Sequence, residues 1–154
     1  VSDMQTQSER LSEEAQTDVG GHSVLFKLAR LAFGAAIGYA AATNFQDMEG
    51  SVAYAEAKGV PNAETLVPFG SGMAVVGSLG VVLWRLPILA SGAVLAYLVG
   101  VTRYMHDFWN VDDDAESQNE LYHFLKNVGL VGAALAFLVR AARDRAAKKR
   151  LASE

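Results

Sequence analysis

From Leu86 to Thr102 the chain carries no Asp, Glu, Lys, Arg or His, and apolar residues fall on every face of a helix drawn through this stretch. A helix on the surface of a soluble bundle needs a polar stripe, and this one has none. A bilayer core of about 30 Å takes roughly 20 helical residues to cross, and three other stretches also meet that requirement. Span one is expected from Val24 to Phe45, with LAFGAAIGYAAA at its centre, and span two from Leu66 to Trp84. Span three runs from Leu86 to Met105 and span four from Leu121 to Val139. The expected fold is all-α: a four-helix transmembrane bundle, with a short extra helix between spans one and two.

The connections fit hairpins. Arg85 alone separates spans two and three, and Pro87 favours the first turn of a new helix. Pro61 and Pro68 bracket the entry to span two. SVAYAEAKGVP is a short helical pattern, expected to stop at Gly59 in a left-handed cap because Pro61 cannot continue it. Lys27, Arg30 and Lys126 sit near span ends, where long side chains can snorkel to the interface. Gly34 with Gly38, the series Gly92, Ala96 and Gly100, and Gly129 with Ala133 have the four-residue spacing that lets membrane helices approach closely.

Charge sets the expected orientation and organisation. Four spans put both termini and the Arg85 turn on one side, with Arg10, Lys27, Arg30, Arg85, Arg140, Arg143, Arg145, Lys148, Lys149 and Arg150. The other side has only Lys58, Arg103 and Lys126. The positive-inside rule then predicts a multi-pass protein of the cell membrane with both termini cytoplasmic and the acidic loop Asp112 to Glu120 outside. Three parts are expected: a polar, acidic tail over 1–22, a membrane domain over 23–140 and a basic tail over 141–154. The first residues lack the basic and apolar regions of a signal peptide, and the basic tail suits anionic headgroups. A net charge of −4 argues against a nucleic-acid partner. With no cysteine, the chain supplies no thiolate metal site, iron–sulfur ligands or redox pair.

Polar residues gather near one end. On a continuous helix, Arg103, His106, Asp107 and Asn110 share an arc of about 100°, while Glu120, His123 and Asn127 share about 60°, with Lys126 about another 60° away. Tyr39, Thr43 and Gln46 form a third stripe at the same depth, and all three stripes are expected to converge. Arg103 and Lys126 are expected to pair with Asp107 or Glu120. One reading is an interfacial salt-bridge network with Tyr104, Phe108, Trp109 and Tyr122 as an aromatic belt. The other is a pocket whose His and Asp groups move protons. A bis-histidine haem between His106 and His123 stays open, as does a metal on both histidines and a carboxylate, although the spacing matches no specific metal motif. His22 lies outside the spans and reads as solvated.

Several of these residues also stand in a familiar order. Arg30 and Gly34, YAEAKGVP from Tyr54 to Pro61, HDFWN from His106 to Asn110 and HFLKN from His123 to Asn127 make the chain resemble the DoxX family, in its archaeal-type members. The resemblance covers about Val24 to Val139. It departs at Asn44, where many members carry a basic residue, and at FGSGMAVV from Phe69 to Val76, where many carry a Glu. It implies a membrane location and a redox role: a quinone as ligand and a redox protein as partner, with electrons carried by something this chain binds. The alternative is a non-catalytic membrane scaffold or assembly partner for another protein.

Overall fold

In a computed structural model, described over residues 3–7 and 23–153, five α-helices and one 3-10 turn make up the chain from Val24 onward. They are α1 (Val24–Thr43), α2 (Met48–Ala57), α3 (Ala63–Leu83), α4 (Pro87–Met105), the 3-10 turn Phe108–Asn110 and α5 (Asp114–Leu151). Of the expected 1–22 tail only residues 3–7 are described, and they are helical. His22 and Arg10 lie outside the described residues.

Four helices, α1, α3, α4 and α5, are long and apolar enough to cross a membrane, and the short extra helix α2 lies where the sequence places it. The chain is a multi-pass integral membrane protein. Its surface has the character that lipid requires: at most 28 % of the apolar window of any span is buried. Leu25, Leu28, Leu79, Leu89 and Val99 project outward. A bundle in water would bury such side chains, each worth about 1.5–3 kcal/mol.

Side-chain caps start three helices. The Ser23 hydroxyl accepts from the Phe26 amide, the Asp47 carboxylate from Gly50 and the Asp113 carboxylate from Glu116. The Asp113 cap changes the acidic loop. With Asp114 and Glu116 in the first turn, favourable at the positive end of a helix, α5 begins at Asp114, so most of the expected loop is helix. At its other end α5 continues through the basic tail to Leu151. Its 38 residues span about 57 Å at the standard rise, far more than a bilayer core.

Two other boundaries differ from expectation. α3 begins at Ala63, so Pro68 lies inside its second turn and removes one backbone bond there. The hairpin between α3 and α4 has three residues, Trp84, Arg85 and Leu86, and both Trp84 (φ 53°) and Leu86 (φ 47°) are left-handed. Non-glycine residues reach that region at a cost of about 1–2 kcal/mol. Trp84 is held there by the Phe26 ring, 4.9 Å away edge-on, and by Phe137.

α3 packs between α1 and α4, and α4 also packs on α5. A Cβ on Gly34 would stand 2.9 Å from the Ser78 carbonyl oxygen, so α1 and α3 touch through backbone there, and Gly38 faces Ser78 as well. The expected stripes at Gly92 and Gly100 and at Gly129 meet nothing within 4 Å. Gly77 and Gly80 make the close approach of α3 to α4 instead, against Ala90 and Val94. The core runs through Phe33, Ile37, Val81, Val94, Leu98 and Phe137.

The bundle therefore has two distinct ends. The tail end holds the start of α1, the α3–α4 hairpin and the second half of α5. Arg30, expected to snorkel, is instead 7 % exposed, its guanidinium 5.2 Å from the Phe26 ring centre and 5.1 Å from that of Trp84. Lys27 and Lys126 are exposed. The polar end holds α2, the 3-10 turn and the start of α5.

Candidate functional site at the polar end

The site begins with the way α2 stops. Gly59 is left-handed at φ 76°, as the sequence predicts. Its amide donates to the Glu56 carbonyl and that of Val60 to Ala55, the paired bonds of a Schellman cap. This cap carries Lys58 to the mouth of the bundle. Lys58 Nζ lies 3.6 Å from Asp107 Oδ1 and 3.6 Å from Glu120 Oε1. Each carboxylate uses its second oxygen elsewhere. Asp107 Oδ2 accepts from Asn110 Nδ2 at 3.0 Å, and Glu120 Oε2 meets His106 Nδ1 at 2.8 Å. Burial disfavours the charge on Lys58, but Tyr54, Glu120 and Asp107 together outweigh it and raise its pKa above the ordinary value.

α4 ends at Met105, and His106 and Asp107 have left helical geometry. The helical arc expected to unite Arg103, His106, Asp107 and Asn110 therefore does not exist past Met105. A chain reversal does the gathering. Phe108, Trp109 and Phe124 pack mutually edge-on with centroids 5.1–5.9 Å apart, and the Ser117 hydroxyl donates to the Phe108 carbonyl. These contacts fasten the 3-10 turn to α5 and place His106 beside Glu120 and His123.

The two imidazoles stack nearly parallel, with centroids 5.2 Å apart and planes 15° apart. Stacked rings do not aim their nitrogens at a point between them, as a shared haem iron requires. Among the described residues, no group of three His, Cys, Asp or Glu side chains is placed to hold a metal ion. Lys126 Nζ lies 3.4 Å from His123 Nδ1 at the rim.

His106, Asp107, Asn110, Glu120 and His123 come together, and Lys126 joins through His123. Arg103 does not join: it is exposed, its guanidinium 5.5 Å from the Trp109 ring centre and 5.8 Å from that of Tyr104. Asn127 is buried at 5 % exposure in the interior. The third stripe stays apart, since Tyr39 and Gln46 are exposed and Thr43 bonds the Ala40 carbonyl of its own helix. Lys58 takes the role expected of Arg103 and Lys126. Its one signal in the sequence is YAEAKGVP, where the only basic residue between spans one and two stands just before a cap glycine.

Beside the cluster, a pocket of about 250 Å³ lies between α3 and α4. Phe69, Tyr97, Tyr104 and Met105 give it apolar and aromatic walls, and Asn44 Nδ2 donates to Ser71 Oγ at 2.8 Å within its lining. Val60 and Met105 in its lining are chain neighbours of the site, two residues from Lys58 and one from His106. Pockets that enclose a drug-sized ligand run to about 300–1,000 Å³. This one is smaller than that range. No family model, no curated protein and no solved structure matches the chain.

Proposed function

We propose that this chain is a DoxX-type membrane subunit that receives the head of a lipid-soluble quinone at the polar end, with the tail end and both termini in the cytoplasm. The observation that carries this reading is the His106–Glu120 pair, bridged to Asp107 by Lys58, with an aromatic pocket of about 250 Å³ whose lining begins one residue back along the chain at Met105. Three of the segments that carry the family resemblance supply this cluster: Lys58 from YAEAKGVP, His106 and Asp107 from HDFWN, and His123 from HFLKN. The basic tail end supports the orientation through the positive-inside rule.

A quinone contributes a carrier for two electrons and two protons. The chain's own residues handle the protons. With Nδ1–H donated to Glu120, His106 keeps Nε2 for a ligand oxygen, as acceptor when neutral and as donor when protonated. Lys58 fixes Glu120, the carboxylate that holds the imidazole in place, and Asn110 fixes Asp107 on the other side of Lys58. The quinone's electrons come from a bound redox partner in this reading; the chain has no thiol pair of its own to supply them.

The test is a lipid extract of the purified protein, followed by titration with a short-chain quinone read by tryptophan quenching. Quinone in the extract, or saturable binding weakened several-fold in His106→Gln, is the expected result. An extract without quinone together with no saturable binding overturns the reading.

A second reading has its own observation. Asp112, Asp113, Asp114 and Glu116 are exposed beside the half-exposed Trp109, a surface suited to docking another protein. A scaffold of this kind co-purifies with a partner in stoichiometric yield, and loses it on charge reversal of those acids.

A further inference from the structure

A groove of about 660 Å³ crosses the tail end, between the α3–α4 hairpin and the second half of α5. It is chemically two-sided. Leu86 and Leu89, both well exposed, form one wall, and Arg145, Lys148 and Lys149 stand on the other. The start of α4 also opens here. Pro87 has no N–H, and Ala90 is the first residue of the helix whose amide finds a backbone acceptor, leaving those of Ile88 and Leu89 for a ligand.

An independent observation points to a polar occupant. Asp144 lines the groove with its side chain nine-tenths buried. Its Oδ1 accepts from Arg140 Nε at 2.9 Å, while Oδ2 is buried with no hydrogen-bond partner among the described residues. An unsatisfied buried oxygen costs about 1–3 kcal/mol, more when charged. The atom is closed to water as it stands, so a donor in the groove removes that cost by drawing the carboxylate toward it.

We infer that this groove binds a phospholipid with a phosphoglycerol headgroup, drawn from the leaflet at the tail end. The phosphate meets Arg145, Lys148 and Lys149 and the first amides of α4. A glycerol hydroxyl donates to Asp144 Oδ2 as the carboxylate turns toward the groove, and the acyl chains follow Leu86 and Leu89 into the bilayer. General attraction of a basic tail to an anionic surface requires neither the orphan carboxylate oxygen nor the apolar wall. The groove has both.

The test uses the full chain in detergent, titrated with phosphatidylglycerol or phosphatidylcholine and read by native mass spectrometry. One phosphatidylglycerol should bind at least five-fold more tightly than phosphatidylcholine, which lacks both net charge and a headgroup donor. The variant Lys148→Gln/Lys149→Gln should lose most of that preference. Arg143→Gln/Arg150→Gln removes the same charge outside the groove and should keep it. Equal binding of the two lipids, or equal loss in both double variants, overturns the inference. Inorganic phosphate should not displace the lipid; displacement at millimolar phosphate would show a site for the free anion and sink the lipid assignment. Should the lysine variant fail to fold, Trp109→Phe leaves Trp84, a groove residue, as the sole tryptophan. Phosphatidylglycerol with brominated chains should then quench its fluorescence more than brominated phosphatidylcholine, and equal quenching counts against the groove.

Discussion

His106 and Glu120, fourteen residues apart, join Nδ1 to Oε2 at 2.8 Å and so tie the end of α4 to the start of α5. The bond spans a chain reversal in which α4 has already ended, so the local helix cannot hold it. What holds it is the packing of Phe108 and Trp109 on Phe124 and the ion pair that Glu120 makes with Lys58.

The pair should show coupling. In a double-mutant cycle, His106→Gln and Glu120→Gln should each lower stability, and the double variant should lose less than the sum, by about 1.5–3 kcal/mol for a hydrogen bond to a charged group. Thermal unfolding in detergent at pH 6 measures it. Strict additivity would mean that the two side chains do not interact in solution.

Lys58 should matter through charge. Lys58→Met leaves two carboxylates facing each other and should cost about 1–2 kcal/mol, whereas Lys58→Arg should recover most of it. The raised pKa also fixes a sign. A lysine whose folded pKa lies above its unfolded value of 10.5 contributes stability in full below that pH and loses it as pH rises through the folded value. The parent's excess stability over Lys58→Met should therefore hold across neutral pH and shrink only above pH 10.5. An excess that shrinks between pH 6 and 9 would assign the effect to other groups.

Gly59 should be intolerant of any residue that dislikes positive φ, even though nothing lies within 4 Å of a Cβ placed there. Gly59→Ala should cost about 1 kcal/mol and Gly59→Val more, while Gly59→Asn should be nearly silent. Unfolding midpoints of the three variants decide this, and equal midpoints would place the end of α2 elsewhere.

The spans were legible because hydropathy needs no knowledge of packing: an uncharged run such as Leu86 to Thr102 has only lipid to go to. The cap at Gly59 was legible because its residue type and its neighbour Pro61 act locally. The partners of the site were harder to read. Periodicity carried Arg103, His106, Asp107 and Asn110 onto one face only while the helix lasted, and nothing local marks Met105 as its end. Lys58 reaches the cluster from a different hairpin, a long-range contact that no spacing encodes. The same limit applies to Gly92 and Gly77, alike in sequence and opposite in packing.

That contrast is testable. Gly34→Ala drives a Cβ to 2.9 Å from the Ser78 carbonyl oxygen, a backbone atom that cannot rotate aside, and should cost about 1–3 kcal/mol by overpacking. Gly92→Ala meets open space and should be neutral, or stabilising by up to about 1 kcal/mol through helix propensity. A large loss at Gly92 would reveal a packing partner outside this chain.

Arg30 gives the least obvious expectation, because its charge is buried among rings. The guanidinium stacks near Phe26 and Trp84, yet Nε has no hydrogen-bond partner among the described residues, and Arg140 brings a second cation to the same Phe26 ring at 5.3 Å. Cation–π contacts contribute about 0.5–2 kcal/mol each, against several kcal/mol for desolvating a cation. An apolar side chain of similar length should therefore fit at least as well. Arg30→Met should leave the unfolding midpoint unchanged or raised. Arg30→Lys should lower it, because an ammonium is compact, more strongly hydrated and unable to stack. If Arg30→Met instead loses more than about 2 kcal/mol, the guanidinium has a bound partner at the tail end that offsets its burial.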